Sequence, residues 1–553
     1  MQTLPRRNTA GRVKAPSRSR GGRDHVGQGR PFAVLLLSFG GLLLSMTAGE
    51  AQLTDVTQTP NVFNAGIQKS LAEEIGAGVG DPFTPYSSLF NIQRDPARAI
   101  RRGRQLFQRK FSHQQGLGPR AGDGIGDIAA NGAIGAGLAD SCAGCHGRPR
   151  GSAGSGGDVA TRPDSRDAPH LFGLGLKEQL ADEITARLRR IRKFAIAAAK
   201  MVGHSVLRPL DAKGIHYGTI TALPDGTVDT SGVEGVNADL RVRPLFAHGG
   251  TISIREFVVG ALNNEMGLQA VDPCLAGAVD GERCITPSGM VLDGAADAIE
   301  PPRVADELDD ADADGIANEI PTALVDYLEF YLLNYFSPGL YRETRTAVRG
   351  LEMFKAIGCA SCHVQDLTIR HDRRVADVET VYDPRHGIFN RLFATVNARF
   401  EEVDDASGYA SLKLPARRPF VVHNIFTDFK RHDLGPRFHE RNYDGTMQTQ
   451  FMTAALWGVG TTPPYGHDGR SINLKEVIVR HGGEALPSRN AFVKLPGEDR
   501  VAIIDFLETL VLFPPDDTAS NLDPGNCTAP DFPQNGHGSI KLGVLFNDPS
   551  EPE

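Results

Sequence analysis

The chain has 553 residues, a formal net charge of −8, 40% hydrophobic residues and seven cysteines. That length holds two to four domains of ordinary size, and the acidic balance makes nucleic acid a poor partner while suiting a small basic redox protein. No apolar stretch after the first 51 residues is long enough to cross a bilayer.

The first element in chain order is an export signal. Arg6, Arg7, Arg12, Lys14, Arg18, Arg20, Arg23 and Arg30 surround or precede an apolar run over residues 32–44, and the small residues Ala48, Gly49 and Ala51 follow it. The pattern predicts a signal peptide over residues 1–51, cleaved after Ala51, and a periplasmic or extracellular mature chain. Its removal takes away eight basic and two acidic side chains, a net of +6, which moves the charge from −8 to −14. Residues 52–97 read as an N-terminal extension.

Gly103-Arg104-Gln105-Leu106-Phe107 opens a helical pattern, and after an insertion rich in Gly and Ala comes Cys142-Ala-Gly-Cys145-His146. The pattern returns as Gly350 and Phe354, followed directly by Cys359-Ala-Ser-Cys362-His363. Two thiols three positions apart can reach both vinyl groups of one porphyrin, and the adjacent His then points its imidazole at the iron. Each motif therefore predicts one covalently bound haem c, with His146 and His363 as the proximal ligands. A redox dithiol or half of a zinc site is the plain alternative, in which the following His would be incidental.

Between the motifs, Leu176, Leu180, Ile184, Leu188 and Ile191 form one face of a helix whose other face, with Arg187, Arg189, Arg190, Arg192 and Lys193, reads as solvated. Residues 219–228 predict a hairpin about Pro224-Asp225-Gly226. Cys274 and Cys284 bracket a Gly-containing loop and, in an oxidising compartment, predict a disulfide; Cys527 has no evident partner. Asp310, Asp312, Asp314, Gly315 and Asn318 follow the opening of a calcium loop, although Pro321 stands where the bidentate Glu belongs and Glu319 would have to substitute. A solvated acidic turn is the alternative there.

Residues 319–335 and 499–513 carry helical spacing, and Ser337-Pro338-Gly339 punctuates the chain between the halves. The predicted fold is mainly α: two tandem class I cytochrome c-like domains, residues 98–337 and 338–515, each with one covalent haem. A minor β-hairpin and an irregular tail over residues 516–553 complete it.

The repeat extends further. Pro244-Leu-Phe-Ala-His248-Gly-Gly precedes Glu256, as Pro464-Tyr-Gly-His467-Asp-Gly precedes Glu476, and the alignment then reaches His481 in the second copy but Ala261 in the first. A His at that place can supply a sixth iron ligand and Ala cannot. The second haem is thus predicted to carry electrons, and the first to keep an open iron able to bind peroxide or dioxygen. His248 and His467 read either as haem propionate partners or as loop residues.

Residues 141–149, 166–176, 256–267, 426–435, 456–469 and 481–485 resemble the bacterial di-haem cytochrome c peroxidase superfamily, and most of all its di-haem oxidoreductase branch. The resemblance spans most of the mature chain. It implies that His481 replaces the Met that ligates the electron-transfer haem in the peroxidases, which should lower that haem's potential. It also implies that Glu265, in the Glu265-Met266 pair, is the acid-base residue over the open haem. The blocking His that typical peroxidases carry soon after the first motif is absent from residues 147–169, with His170 standing just beyond. Trp457, the only tryptophan, is a candidate electron relay between the haems, or simply a buried residue.

The leading reading is an oxidoreductase that takes electrons from a small redox protein or another donor at the second haem and reduces hydrogen peroxide at the first. Two alternatives stay open: a di-haem dioxygenase of the rubber-cleaving type, which needs an apolar pocket and no acid-base Glu, and a cytochrome that only passes electrons.

Overall fold

The computed structural model describes residues 81–85, 87–119, 139–146, 167–302, 304, 306–334, 337–340, 344–381, 396–442 and 445–511. The signal peptide, residues 52–80 of the extension, the insertion over 120–138, Cys527 and the tail lie outside them.

The described helices are α1 (Ser88–Arg94), α2 (Pro96–Gln108), α3 (Cys142–His146), α4 (Leu174–Val202), α5 (Ile254–Met266), α6 (Pro273–Val279), α7 (Thr322–Asn334), α8 (Arg345–Ala356), α9 (Leu474–Arg480), α10 (Leu486–Lys494) and α11 (Gly497–Glu508). Local chemistry sets their ends. Asp95 caps α2 by accepting from the Arg98 amide, with Pro96 at the first helical position, where its missing N–H costs nothing. Thr344 caps α8 by accepting from the Ala347 amide.

The two helices that lead to the Cys-x-x-Cys-His motifs pack in the same way. α2 crosses α7 and α8 crosses α11. At each crossing a glycine lets the backbones touch: a Cβ on Gly103 would overlap the Tyr327 carbonyl, and one on Gly350 would overlap the Ala502 carbonyl. The glycine-to-aromatic spacing seen in both halves of the sequence thus has a packing cause, since Phe107 and Phe354, four residues on, are buried beneath the same crossings. A second shared device sits at the start of α5 and α9. Ser253 accepts from the Glu256 amide while Glu256 accepts from the Ile252 amide, and Asn473 accepts from the Glu476 amide while Glu476 accepts from the Ile472 amide. Each loop before these helices is closed by an antiparallel bridge, Leu245 with Thr251 and Tyr465 with Ser471.

Among the described residues the buried side chains form three clusters. One joins α2, α5 and α7, and another joins α8, α9 and α11. The third lies between α4 and a sheet of order β1 (Val206–Ala212), β2 (Ile215–Ala222) and β3 (Val228–Asp229), and reaches Leu367, Val422, Phe429 and Trp457. The β2–β3 pairing, with Ala222 opposite Val228, is the expected hairpin. β1 adds a strand that sequence reading missed, turning back at Lys213-Gly214 with both residues at positive φ.

Two further expectations are corrected. Ser337–Leu340 is a strand rather than a bare punctuator, antiparallel to Leu510–Val511 and parallel to Ala376–Val381, so the junction pairs with the end of the second half. Arg189 is not on a solvated face: it pairs with Asp297 at 2.9 Å and donates to the Ala296 carbonyl. Cys274 and Cys284 form a disulfide between α6 and the short strand Arg283–Ile285. No helix among the described residues is long and apolar enough to cross a membrane.

α5 is held from its buried side. Arg255 makes contacts of 2.7 Å to Asp272, 2.8 Å to Asp326 and 2.9 Å to Glu329, all of them buried. Breaking such a set would leave uncompensated charge in the interior, so the pose of α5 against α7 is tightly fixed.

If the glycine crossings set the helix spacing, Gly350→Ala should lower unfolding stability by about 1–3 kcal/mol, despite the better helix propensity of Ala. Denaturant titration of the variant measures this.

Candidate haem site

A cavity of about 900 Å³ runs through the interior and is lined by both Cys-x-x-Cys-His motifs. Its volume lies within the usual range for ligand sites, about 300–1,000 Å³. The first motif forms the short helix α3, with the Gly144 amide donating to the Ser141 hydroxyl at 3.0 Å. The second is a single tight turn in which the His363 amide donates to the Cys359 carbonyl at 3.0 Å.

The imidazoles are prepared alike. His146 Nδ1 lies 2.6 Å from the Pro169 carbonyl and His363 Nδ1 lies 3.0 Å from the Phe426 carbonyl. A carbonyl oxygen only accepts, so Nδ1 carries the proton in each ring and Nε2 keeps its lone pair, the arrangement of a metal-ligating histidine. Burial lowers both pKa values, that of His363 to about 4 against the opposing pull of the Phe426 carbonyl. Both rings are therefore neutral.

His481 repeats the pattern at the end of α9, with Nδ1 2.7 Å from the Val477 carbonyl and a pKa lowered by burial. It lines the same cavity, close enough to His363 that protonation of one ring disfavours protonation of the other. Ala261, its counterpart, also lines the cavity but from the middle of α5, which continues for a further turn. That turn carries Glu265, which lines the cavity and acts electrostatically on His146.

None of the four motif cysteines forms a disulfide. Burial pushes the Cys142 and Cys359 thiols up to about 12, whereas a reactive dithiol or a thiolate metal site needs a depressed pKa. Partly buried thiol pairs, neutral Nε2 donors and a roomy, largely apolar cavity beside them fit haem.

His170 also lines the cavity: its Nε2 donates to the Trp457 carbonyl at 3.1 Å, which leaves the lone pair on Nδ1, and the residue before it supplies the carbonyl that holds His146. Trp457 is buried and lines the cavity, its ring lying over Gly173, where a Cβ would meet the indole at 2.7 Å. His467 is held by Glu440 at 3.2 Å and stacks on Phe451 at 3.9 Å between centroids, while His248 stacks on Phe246. The oxygens of Asp310, Asp312 and Asp314 converge within 4.8 Å. Asp310 accepts from the Asp314 and Gly315 amides, and the Glu319 carboxylate accepts from the Gln269 amide. Asn318 stands in the left-handed region at φ 52°.

Sequence reading gave no role to His432, Asp428 or Glu484, which join beside Cys362. Nor did it mark Lys177, a cavity-lining residue whose ammonium burial lowers to about 8. The segment 426–435 contributed only to the family resemblance, because its pairing with residue 484 lies far along the chain.

Residues 406–510 match the family described as "Di-haem oxidoreductase, putative peroxidase". The match bears out the resemblance to the di-haem oxidoreductases. It covers the strap over 426–435, the loop with Trp457 and His467, and His481, and it supports the reading of the chain as an oxidoreductase enzyme. No curated protein matches. Among the similar solved structures is one titled "Crystal structure of a MauG-like protein associated with microbial copper homeostasis", with 14% identity and a TM-score of 0.23, covering 60% of this chain and 89% of that one.

If each motif attaches one haem, replacing Cys142 and Cys145 together by Ser should reduce covalently bound haem from two per chain to one, and replacing all four motif cysteines should abolish it. A pyridine haemochrome assay on denatured protein counts the haem.

Proposed function

We propose that the chain is an exported di-haem oxidoreductase that reduces hydrogen peroxide. Residues 98–337 hold the reactive haem through Cys142, Cys145 and His146, and residues 338–515 hold the electron-transfer haem through Cys359, Cys362, His363 and His481. The reading is carried by one asymmetry within the shared cavity: His481 lines it in one copy of the repeat, and Ala261, followed by Glu265, lines it in the other.

Haem, when bound, supplies an iron that exchanges single electrons and accepts a small oxygen ligand where no sixth side chain competes. The protein supplies the rest. Pro169 and Phe426 orient the two proximal imidazoles by accepting from their Nδ1 protons. Glu265 takes a proton from one peroxide oxygen and returns it to the departing one. With two electrons and two protons, hydrogen peroxide becomes two waters; the electrons come singly from a small redox protein or other donor, which the acidic mature surface would attract if basic. Trp457, between the α4 start and the second-haem loop, is the proposed relay. The predicted signal peptide puts this chemistry in the periplasm or outside the cell.

Glu265→Gln should lower donor-linked peroxide turnover by about 10²–10⁴-fold while leaving both haems attached; unchanged turnover would overturn the reading. Turnover of dioxygen that survives the same substitution would favour the dioxygenase, since the cavity lining is largely apolar.

The loop of Asp310, Asp312, Asp314 and Asn318 is proposed to bind calcium, which needs only oxygen donors and tolerates irregular geometry. Calcium at 100-fold its dissociation constant should then stabilise the fold by about 2.7 kcal/mol. A rise in melting temperature that is absent in Asp312→Asn checks this.

A further inference from the structure

The strap from Phe426 to Leu434 reaches both histidines of the second haem site. At its start, the Phe426 carbonyl accepts from His363 Nδ1. At its end, the Leu434 carbonyl accepts from the Gly482 amide at 2.9 Å and the Asp433 carbonyl accepts from the Glu484 amide at 2.9 Å, so the strap also holds the residues that follow His481. His432 lies between these ends, buried, and both of its ring nitrogens donate to carboxylates: Nε2 to Asp428 at 2.9 Å and Nδ1 to Glu484 at 2.7 Å. The other Glu484 oxygen accepts from the Asp433 amide at 2.9 Å.

Two donating nitrogens make this ring an imidazolium. Burial would lower its pKa, but the hydrogen bonds and charge of Asp428, with Cys362 and Glu484, raise it to about 11. Cys362, Asp428 and His432 stand close enough together to hold a metal ion. Yet neither ring nitrogen of His432 has a lone pair to offer in this arrangement, and Cys362 is needed for haem attachment.

The backbone after His481 needs such support. His481 ends α9, and the next two residues are Gly482 and Gly483, the latter at φ 47°. Glycine restricts the chain least of all residues, so two in succession leave the His481 side of the site without intrinsic stiffness.

We propose that His432 is a positioning residue for the second haem: a charged strut from Asp428 to Glu484 that keeps the His481 segment at a fixed distance from the strap holding His363. This rests on the reading of His481 as an iron ligand. Asp428 is buried and anchors the strut. The Glu484 side chain is 52% exposed, so its ion pair is weak in itself and its removal should loosen His481 without unfolding the protein.

The test counts carbon monoxide bound per reduced holoprotein, alongside the low-spin spectral signature of the second haem. Wild type should bind one equivalent, at the first haem, and His481→Ala should bind two. His432→Ala should approach two, and Glu484→Ala should rise measurably above one. Glu484→Gln, which keeps an oxygen to accept from His432 but loses the second acceptor for the Asp433 amide and the charge, should lie between wild type and Glu484→Ala. If His481→Ala leaves the count unchanged, the ligand reading fails and the proposal falls with it. If His481→Ala raises the count but His432→Ala and Glu484→Ala do not, His481 is a ligand and His432 does not position it. Should His432→Ala fail to fold, the contrast between Glu484→Ala and Glu484→Gln decides: equal counts overturn the strut.

Discussion

A histidine can serve iron from a protein interior only if its other ring nitrogen is committed elsewhere, because a buried imidazole left to choose its tautomer is a poor and mobile donor. The rings aligned with the two motifs and with the end of α9 meet that condition with backbone carbonyls: His146 on Pro169, His363 on Phe426 and His481 on Val477. The rest of the architecture can be read as the means of delivering those carbonyls. Pro169 sits just before α4, whose 29 residues are fixed by a core shared with the three-stranded sheet. Phe426 sits on a strap pinned to the second motif by amides of Ile425 and Thr427 that donate to the Gln365 and Val364 carbonyls. Val477 lies one turn before His481 in the same helix, so that ring is oriented by α9 alone and depends on whatever fixes the helix end.

The internal repeat explains how one scaffold could hold two unlike metal sites. Helix crossings at Gly103 and Gly350, capping pairs at Ser253/Glu256 and Asn473/Glu476, and matching loop bridges are common to both copies. The copies part after this shared frame. α9 stops at Arg480, with His481 as its cap, whereas α5 runs on to Met266, carries Ala261 at the corresponding place and reaches Glu265 a turn later. The Arg255 cluster holds α5 from within the core. A difference of one helical turn thus exchanges a candidate ligand for a candidate acid.

Much of this was legible in the sequence because it depends on local rules. The motif spacing, the helices ending near Asn334 and Glu508, and the hairpin about Pro224-Asp225-Gly226 follow from periodicity and turn chemistry. What stayed hidden depends on partners far along the chain. Ser337–Leu340 reads as a breaker until Leu510–Val511 and Ala376–Val381 pair with it. The β1 turn at Lys213-Gly214 lacks the usual Asn-Gly or Asp-Gly signal. Arg189 looks solvated until Asp297, distant in sequence, meets it. His432 lies in a segment that carries the family resemblance, but only the folded chain brings Asp428 and Glu484 to opposite sides of its ring.

The two proposed haem sites share one interior and differ in axial coordination. Electron paramagnetic resonance of the fully oxidised holoprotein tests this difference most directly, since a five-coordinate or water-ligated ferric haem is high-spin and a bis-histidine haem is low-spin. The account predicts one high-spin and one low-spin haem in equal amounts, the low-spin signal being lost in His481→Ala. Two low-spin haems in the wild-type protein would contradict it, and would leave a carrier of electrons without an open iron.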